Sequence, residues 1–527
     1  MLLDPASRRD ALALLALGLP GLAAMIGVAP ARAQNVSLEL GPPEPFDHDW
    51  LRNEARRLAE SDYVAPILRE PQTLDAIDYD AFQQIRFRAP AALWYGDTGP
   101  WPVQPFHAGR FFREPVDLYV VEDGQARQLI YDQRLFDFGP RAEFARSLPA
   151  DLGFAGFRVM GRDGKPDWLA FLGASYFRSS GQLDQYGASA RGIAIDTALP
   201  TPEEFPRFTR FWLERSARSR DALVIWALLD GPSVTGAYRI EAERSGPVVM
   251  DFEVDLYFRK DVRRLGIAPL TSMFWYSETN HQQSTDWRPE IHDSDGLSIW
   301  TGAGERLWRP LNNPRRLAVS YFVDRSPKGF GLMQRDRAFS HYEDDGVFYE
   351  RRPSLWVEPL GDWGPGAVQL VEIPTDDEIH DNIVAYWVPD EPATAGSSRS
   401  LAYRLHWRAD EPYAPDVGRV VATRIGRGGA PGVPRPPGIK KFVVDFEGPL
   451  LEPVQKGDPV EPVISVARGT VTHAYCLQVV GTKRWRGVFD LDVEGDEPVD
   501  LRMYLRLAGT ALTETWLYQY HPFTFAG

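Results

Sequence analysis

Cysteine occurs once in the 527 residues, at Cys476. An intramolecular disulfide is therefore excluded, and with it any Cys-rich metal site. The run from Val471 to Val480 alternates like a strand, which predicts a buried, inert thiol rather than a nucleophile. Positive charge is also scarce: 58 Lys and Arg stand against 73 Asp and Glu, a net charge of −15. Nucleic acid and anionic membrane surfaces are disfavoured as partners, because like charge repels at long range. The nine His are scattered. Their one compact cluster with Asp, His292-Asp-Ser-Asp-Gly296, lacks the further ligands that a zinc or calcium site needs. Gly-rich stretches show neither dinucleotide nor phosphate-loop spacing, and no Gly-x-Ser-x-Gly elbow occurs. Neither a metal nor a cofactor is expected.

Long apolar runs are missing after residue 33, where no segment approaches the roughly 20 residues required to span a bilayer. Before that point, Ser7-Arg-Arg-Asp-Ala-Leu12 leads into an uncharged stretch ending in Ala31-Arg-Ala33. Paired arginines, a modest apolar region interrupted by Gly and Pro, and a small-x-small site predict a twin-arginine export signal over residues 1–33. Cleavage after Ala33 would leave the mature chain in the bacterial periplasm, with no stable membrane insertion.

The full chain holds 45 Gly and 44 Pro, and between them, after residue 33, strand patterns dominate. Val249–Arg259 alternates almost without fault, and shorter runs at Ala222–Leu229, Leu317–Val323, Ala367–Ile373, Phe442–Phe446 and Leu501–Leu507 do the same. Helical spacing is confined to Phe46–Tyr63, with Trp50, Leu51, Ala55 and Leu58 on one face, and to Pro202–Arg218 behind the N-cap pattern Thr201-Pro-Glu-Glu204. The expected fold is mainly β: a large N-terminal antiparallel β-sandwich over 34–390, a linker at 391–400 where small polar residues break the pattern, and an immunoglobulin-like β-sandwich over 401–527. Gly426–Gly438 reads as a long loop in the second domain.

Residues 266–389 carry Trp, Tyr, Arg and carboxylates on predicted strand ends and loops, where a sandwich presents a binding surface. Aromatic faces stack on sugar rings, while Arg and carboxylate groups bond to hydroxyls. Glycosidic cleavage needs two carboxylates. Asp286, Glu290, Asp293, Asp295, Glu350, Glu358, Asp362 and Asp381 all stand in or beside these blocks. Spacing alone does not choose among them.

At Ala174-Ser-Tyr-Phe-Arg178, Tyr186–Asp196 and the blocks between Gly266 and Trp387, the chain resembles the periplasmic osmoregulated glucan biosynthesis proteins of the G and D type. The paired arginines point to the D branch. The resemblance implies a carbohydrate-active β-sandwich joined to an immunoglobulin-like domain, acting on a β-1,2-linked glucan. It implies an inverting hydrolase with Asp381 as general acid and Asp293 as general base working on water through a relay, Asp295 being the alternative base. Tyr349, Arg351, Arg352 and Trp356 would then line the cleft beside Asp295. Two further activities fit the same resemblance: a non-catalytic scaffold that presents glucan to an inner-membrane glucan synthase, and a transglycosylating or cyclising enzyme.

Overall fold

The computed structural model describes residues 36–97, 101–432, 434–436 and 438–523; the signal expected over 1–33 lies outside them. The molecule is mainly β, as the alternation implied. One sheet of sixteen strands and one of ten face each other across the first core, in which Phe157, Phe171, Phe211, Phe252 and Leu270 meet. The strand Val248–Phe258 lies near the middle of the large sheet, paired with Val234–Arg244 on one side and Ser398–Arg408 on the other.

Helix His48–Ala59 forms where the pattern placed it. The Asp47 side chain accepts from the Trp50 N–H at 2.7 Å, and Leu51 and Ala55 are buried against the outer face of the large sheet. The second predicted helix is not one. Arg207–Arg215 is a strand, antiparallel to Ala222–Asp230 and parallel to Asp117–Glu122. Pro206 falls inside the segment read as helical, where it removes a backbone donor and clashes with the preceding turn. Once extended, the segment splits its apolar residues, with Phe211 and Leu213 in the first core and Trp212 under the helix on the far face.

The linker expected at 391–400 is also displaced. Residues 390–397 carry the chain from the small sheet to the large one, where Ser398–Arg408 pairs with both Val248–Phe258 and Ser354–Leu360. Their polar composition serves a turn and an outward-facing strand: Arg404 binds Asp251 at 2.6 Å, and Arg399 binds Glu391 at 3.0 Å. The strands that build most of the second core follow Arg408.

That core lies between a four-stranded sheet (Arg419–Arg427, Lys440–Glu447, Trp485–Asp492 and Thr470–Gln478) and three strands, Glu461–Val466, Val499–Leu507 and Thr515–Tyr520. The three strands continue the large sheet, because Leu307 and Trp308 pair in parallel with Thr515 and Trp516. Near this seam, strands alternate between the two cores: Leu355 and Val357 face the first, Trp356 the second.

Candidate active site

Asp381 and Asp293 lie far apart in sequence but are fixed to two consecutive residues. The Asn382 side chain accepts the Phe274 N–H at 2.8 Å and donates to the carbonyls of Phe274 and Ile373, both at 2.9 Å. One residue earlier, the Met273 carbonyl accepts the Asp293 N–H at 2.8 Å. Strand Phe274–Tyr276 and its partner Ile291–His292 therefore bring the two aspartates to one place.

Asp293 is wholly buried and Asp381 partly so, and all four of their carboxylate oxygens are shielded without a hydrogen-bond partner in the protein. Arg352 Nη1 stands 3.2 Å from Asp293 Oδ1, an ion pair outside hydrogen-bond geometry. Burial pushes the Asp381 carboxyl up to about 6; the Arg178 guanidinium opposes this and the charge of Asp293 adds to it. Burial also raises Asp293, against Arg352, Arg178 and His292. The two carboxyls thus feel one another and share the same arginines.

Two of those arginines come from the small sheet. In Tyr176–Ser179 alternation sends Phe177 into the core and Tyr176 and Arg178 to the other face. Arg178 donates to Ser189 Oγ at 2.9 Å. Arg191 donates to Thr271 Oγ1 at 3.2 Å and to Glu203 at 2.7 Å, and its guanidinium lies 4.6 Å from the centre of the Tyr176 ring. Neither arginine was singled out from the sequence, although both fall within the blocks that carry the resemblance.

Of the remaining expected residues, Arg352 and Tyr349 join the pair. Arg352 is 2% exposed and lies 4.9 Å from the centre of the Tyr349 ring. A Cβ at Gly187 would come within 2.7 Å of Arg352 Cδ, so the glycine makes room for the arginine. Arg351 goes elsewhere, to the surface, where it donates to the Leu183 carbonyl at 2.9 Å. Trp356 is placed in the second core, because Ser354–Leu360 turns alternate side chains to opposite faces. Asp295 turns towards Arg335 and Asp336, accepting their backbone N–H groups at 2.9 and 2.8 Å. Burial pushes its carboxyl up to about 6 against the opposing charge of His292.

Behind the pair lies a polar layer that sequence reasoning missed. Tyr349 OH donates to Glu378, which holds Arg288 at 2.9 Å; Arg288 also binds Asp286 at 2.9 Å and Asp344 at 2.7 Å. Gln334 Nε2 donates to the carbonyls of His292 and Tyr349, at 3.1 and 3.0 Å, leaving Oε1 to accept from His292 Nδ1 at 2.9 Å. His292 Nε2 faces Glu290 at 3.1 Å. Burial opposes a charge on the imidazole, but Glu290 overcomes it and lifts the group to about 9. Glu290, Asp336 and His341 bring their ligand atoms within 4.8 Å of one another. Asp336 is paired with His341, and Glu290 with His292.

Two shielded carboxyls, one poised near neutral pH, among fixed guanidinium groups can exchange a proton with a neutral polyol and bind its hydroxyls. Comparison with known proteins identifies the family. A family described as "Periplasmic glucan biosynthesis protein, MdoG" matches residues 46–520. Glucans biosynthesis protein D 2 of Ralstonia nicotianae is 53% identical over 513 residues, 95% of each chain. Glucans biosynthesis protein D of Stenotrophomonas maltophilia is 49% identical over 520 residues, 98% of this chain and 97% of the relative. The protein of that name from Xanthomonas axonopodis pv. citri is 48% identical over 522 residues, with the same coverage. No helix among the described residues is long and apolar enough to cross a membrane. The chain belongs to the periplasmic glucan biosynthesis family and has its role in glucan synthesis in that compartment.

Proposed function

We propose that this protein, exported by a twin-arginine signal cleaved after Ala33, binds the backbone of a β-1,2-linked glucan and hydrolyses it with inversion. One observation carries the reading. Asp381 and Asp293 lie close enough to feel one another's charge, none of their oxygens has a hydrogen-bond partner in the protein, and the carboxyl assigned as acid is raised to about 6. An acid with that value stays partly protonated near neutral pH and can deliver its proton to the glycosidic oxygen as the bond to the leaving sugar breaks. Asp293, ionised, removes a proton from water as that water attacks the anomeric carbon, through a relay where the water is not adjacent. Arg352, with Arg178, favours the charged form of Asp293 against its burial, and Arg352 and Tyr349 bond to sugar hydroxyls.

Incubation with linear β-1,2-glucan should give shorter linear products whose new reducing ends are born with inverted configuration, followed by proton NMR. Asp381→Asn should lower cleavage by at least about a thousandfold, the scale of general acid catalysis, and retain glucan binding. Cleavage at the wild-type rate by that variant would remove Asp381 from the role. Branched or cyclic products would instead assign transfer to a sugar hydroxyl.

A second reading has its own support. Asp293 is wholly buried and paired with Arg352, a resting arrangement suited to a non-catalytic scaffold that presents glucan to a membrane synthase. Saturable binding without new reducing ends would select it.

A further inference from the structure

Trp287 is 71% exposed, yet everything around its backbone is fastened. The Arg288 N–H donates to Asp286 Oδ1 at 3.0 Å, Ser284 Oγ donates to the Asp286 carbonyl at 2.9 Å, and Tyr276 OH donates to the Arg288 carbonyl at 2.9 Å. His281 Nδ1 closes the loop on the Pro289 carbonyl at 2.9 Å. The Arg288 guanidinium, bound to Asp286, Asp344 and Glu378, anchors the segment to the polar layer behind the two aspartates. On the other side of the Arg288–Glu378 pair comes Ile379, 37% exposed. Asp381 follows two residues later, a stretch that spans at most about 7 Å.

Exposed apolar side chains scattered singly call for no explanation. Trp287 differs in adjoining an arginine whose ion-pair partner, Glu378, also accepts from Tyr349 at the candidate site. An indole on a fixed backbone offers a large flat face at little ordering cost, the condition for a strong contact with an apolar surface. The C–H face of a pyranose is such a surface, neutral and rigid.

We propose that Trp287 is a stacking platform for a glucose ring of the bound polymer, next in the chain to the Arg288 that pairs with Glu378 near Asp381. The inference rests on the glucan reading above and adds a binding position to it. Because the side chain is exposed, Trp287→Ala leaves the fold intact, which an unchanged thermal midpoint verifies. In calorimetric titration of the full chain with linear β-1,2-glucan, the alanine variant should bind about tenfold more weakly, and Trp287→Phe should restore most of the loss. Wild-type protein that binds the glucan while Trp287→Ala binds equally well overturns the platform alone. Wild-type protein that binds no β-1,2-glucan overturns the glucan reading and the platform together. Loss of binding in both variants to the same extent assigns the effect to the loop and not to a stacked ring, and overturns the platform.

Discussion

Asp381 carries a cost that the proposed role of general acid would demand. Its carboxyl is raised from 3.8 to about 6 in the native state, so between those values the folded protein keeps a proton that the unfolded chain has released. Stability is therefore undiminished below about pH 4, falls as pH rises through the window, and stays reduced above it. Replacing the carboxylate with an amide removes the charge and with it most of the penalty, on the order of 2 kcal/mol at neutral pH. Asp381→Asn should raise the thermal midpoint at pH 7.5 and leave it nearly unchanged at pH 4, followed by circular dichroism. An equal gain at both pH values would mean that the charge is not what the native state resists. At this scale the resemblance named Asp381, Asp293, Arg352 and Tyr349, and the fold brings these four side chains to one place, where their roles are those proposed above. The sequence hid Arg178 and Arg191, since an arginine on an alternating strand reads as solvent-facing until something covers that face. It misplaced Trp356 because alternation separates two faces without saying which core each one meets.

The segment from Gln334 to Arg352 is the element that closes the site from behind. Tyr342 and Tyr349 pack with Met273, Tyr276 and Ile291 in a small core of their own, and the Tyr342 and His292 rings lie 5.2 Å apart. Gln334 binds this layer together, with His292, Tyr342 and Tyr349 all on its amide. Gln334→Leu would leave buried donors and acceptors unpaired, at a cost of about 1–3 kcal/mol for each. Urea denaturation should show a loss of about 3 kcal/mol or more, whereas a loss below about 1 kcal/mol would mean that the layer repacks without its amide. The long, strictly alternating strands were legible, as Val248–Phe258 and Ala222–Asp230 show. Arg207–Arg215 was not, because an N-cap pattern and first-turn acids outweighed the proline behind them. The turn at 390–397 resembles a linker in composition, since both are polar and lack periodicity; only pairing partners far along the chain distinguish them.

For the whole molecule, the decisive feature is a sheet that belongs to both cores. Trp308, Met333 and Trp356 come from strands that precede Arg408 and are buried in the second core. Across the same boundary Arg335 lies 3.7 Å from the centre of the Trp308 ring and binds Glu514 at 2.6 Å, while the Thr423 N–H donates to Glu278 at 3.0 Å. Arg335 also holds Asp295, so the turn that bears Asp293 is tied to the C-terminal sandwich. A chain ending at Arg408 would expose two tryptophans, each burying about 150–250 Å². Such a truncation should be insoluble or bind a hydrophobic dye, and a soluble, cooperatively folding fragment would show that the first core needs no cover. The sequence did reveal two sandwiches, but not their shared sheet, because one parallel contact between Leu307–Trp308 and Thr515–Trp516 leaves no periodic trace.

The lone thiol offers a way to watch that unity. Cys476 Sγ donates to the Val460 carbonyl at 2.8 Å, and burial pushes the thiol up to about 11. In the native state it is therefore a poor target for alkylating reagents. Its modification is a clock for opening of the C-terminal half. If the two halves come apart as one, that clock should run at the rate at which the distant Trp50, Trp212 and Trp226, which pack on Phe46, lose their fluorescence signature.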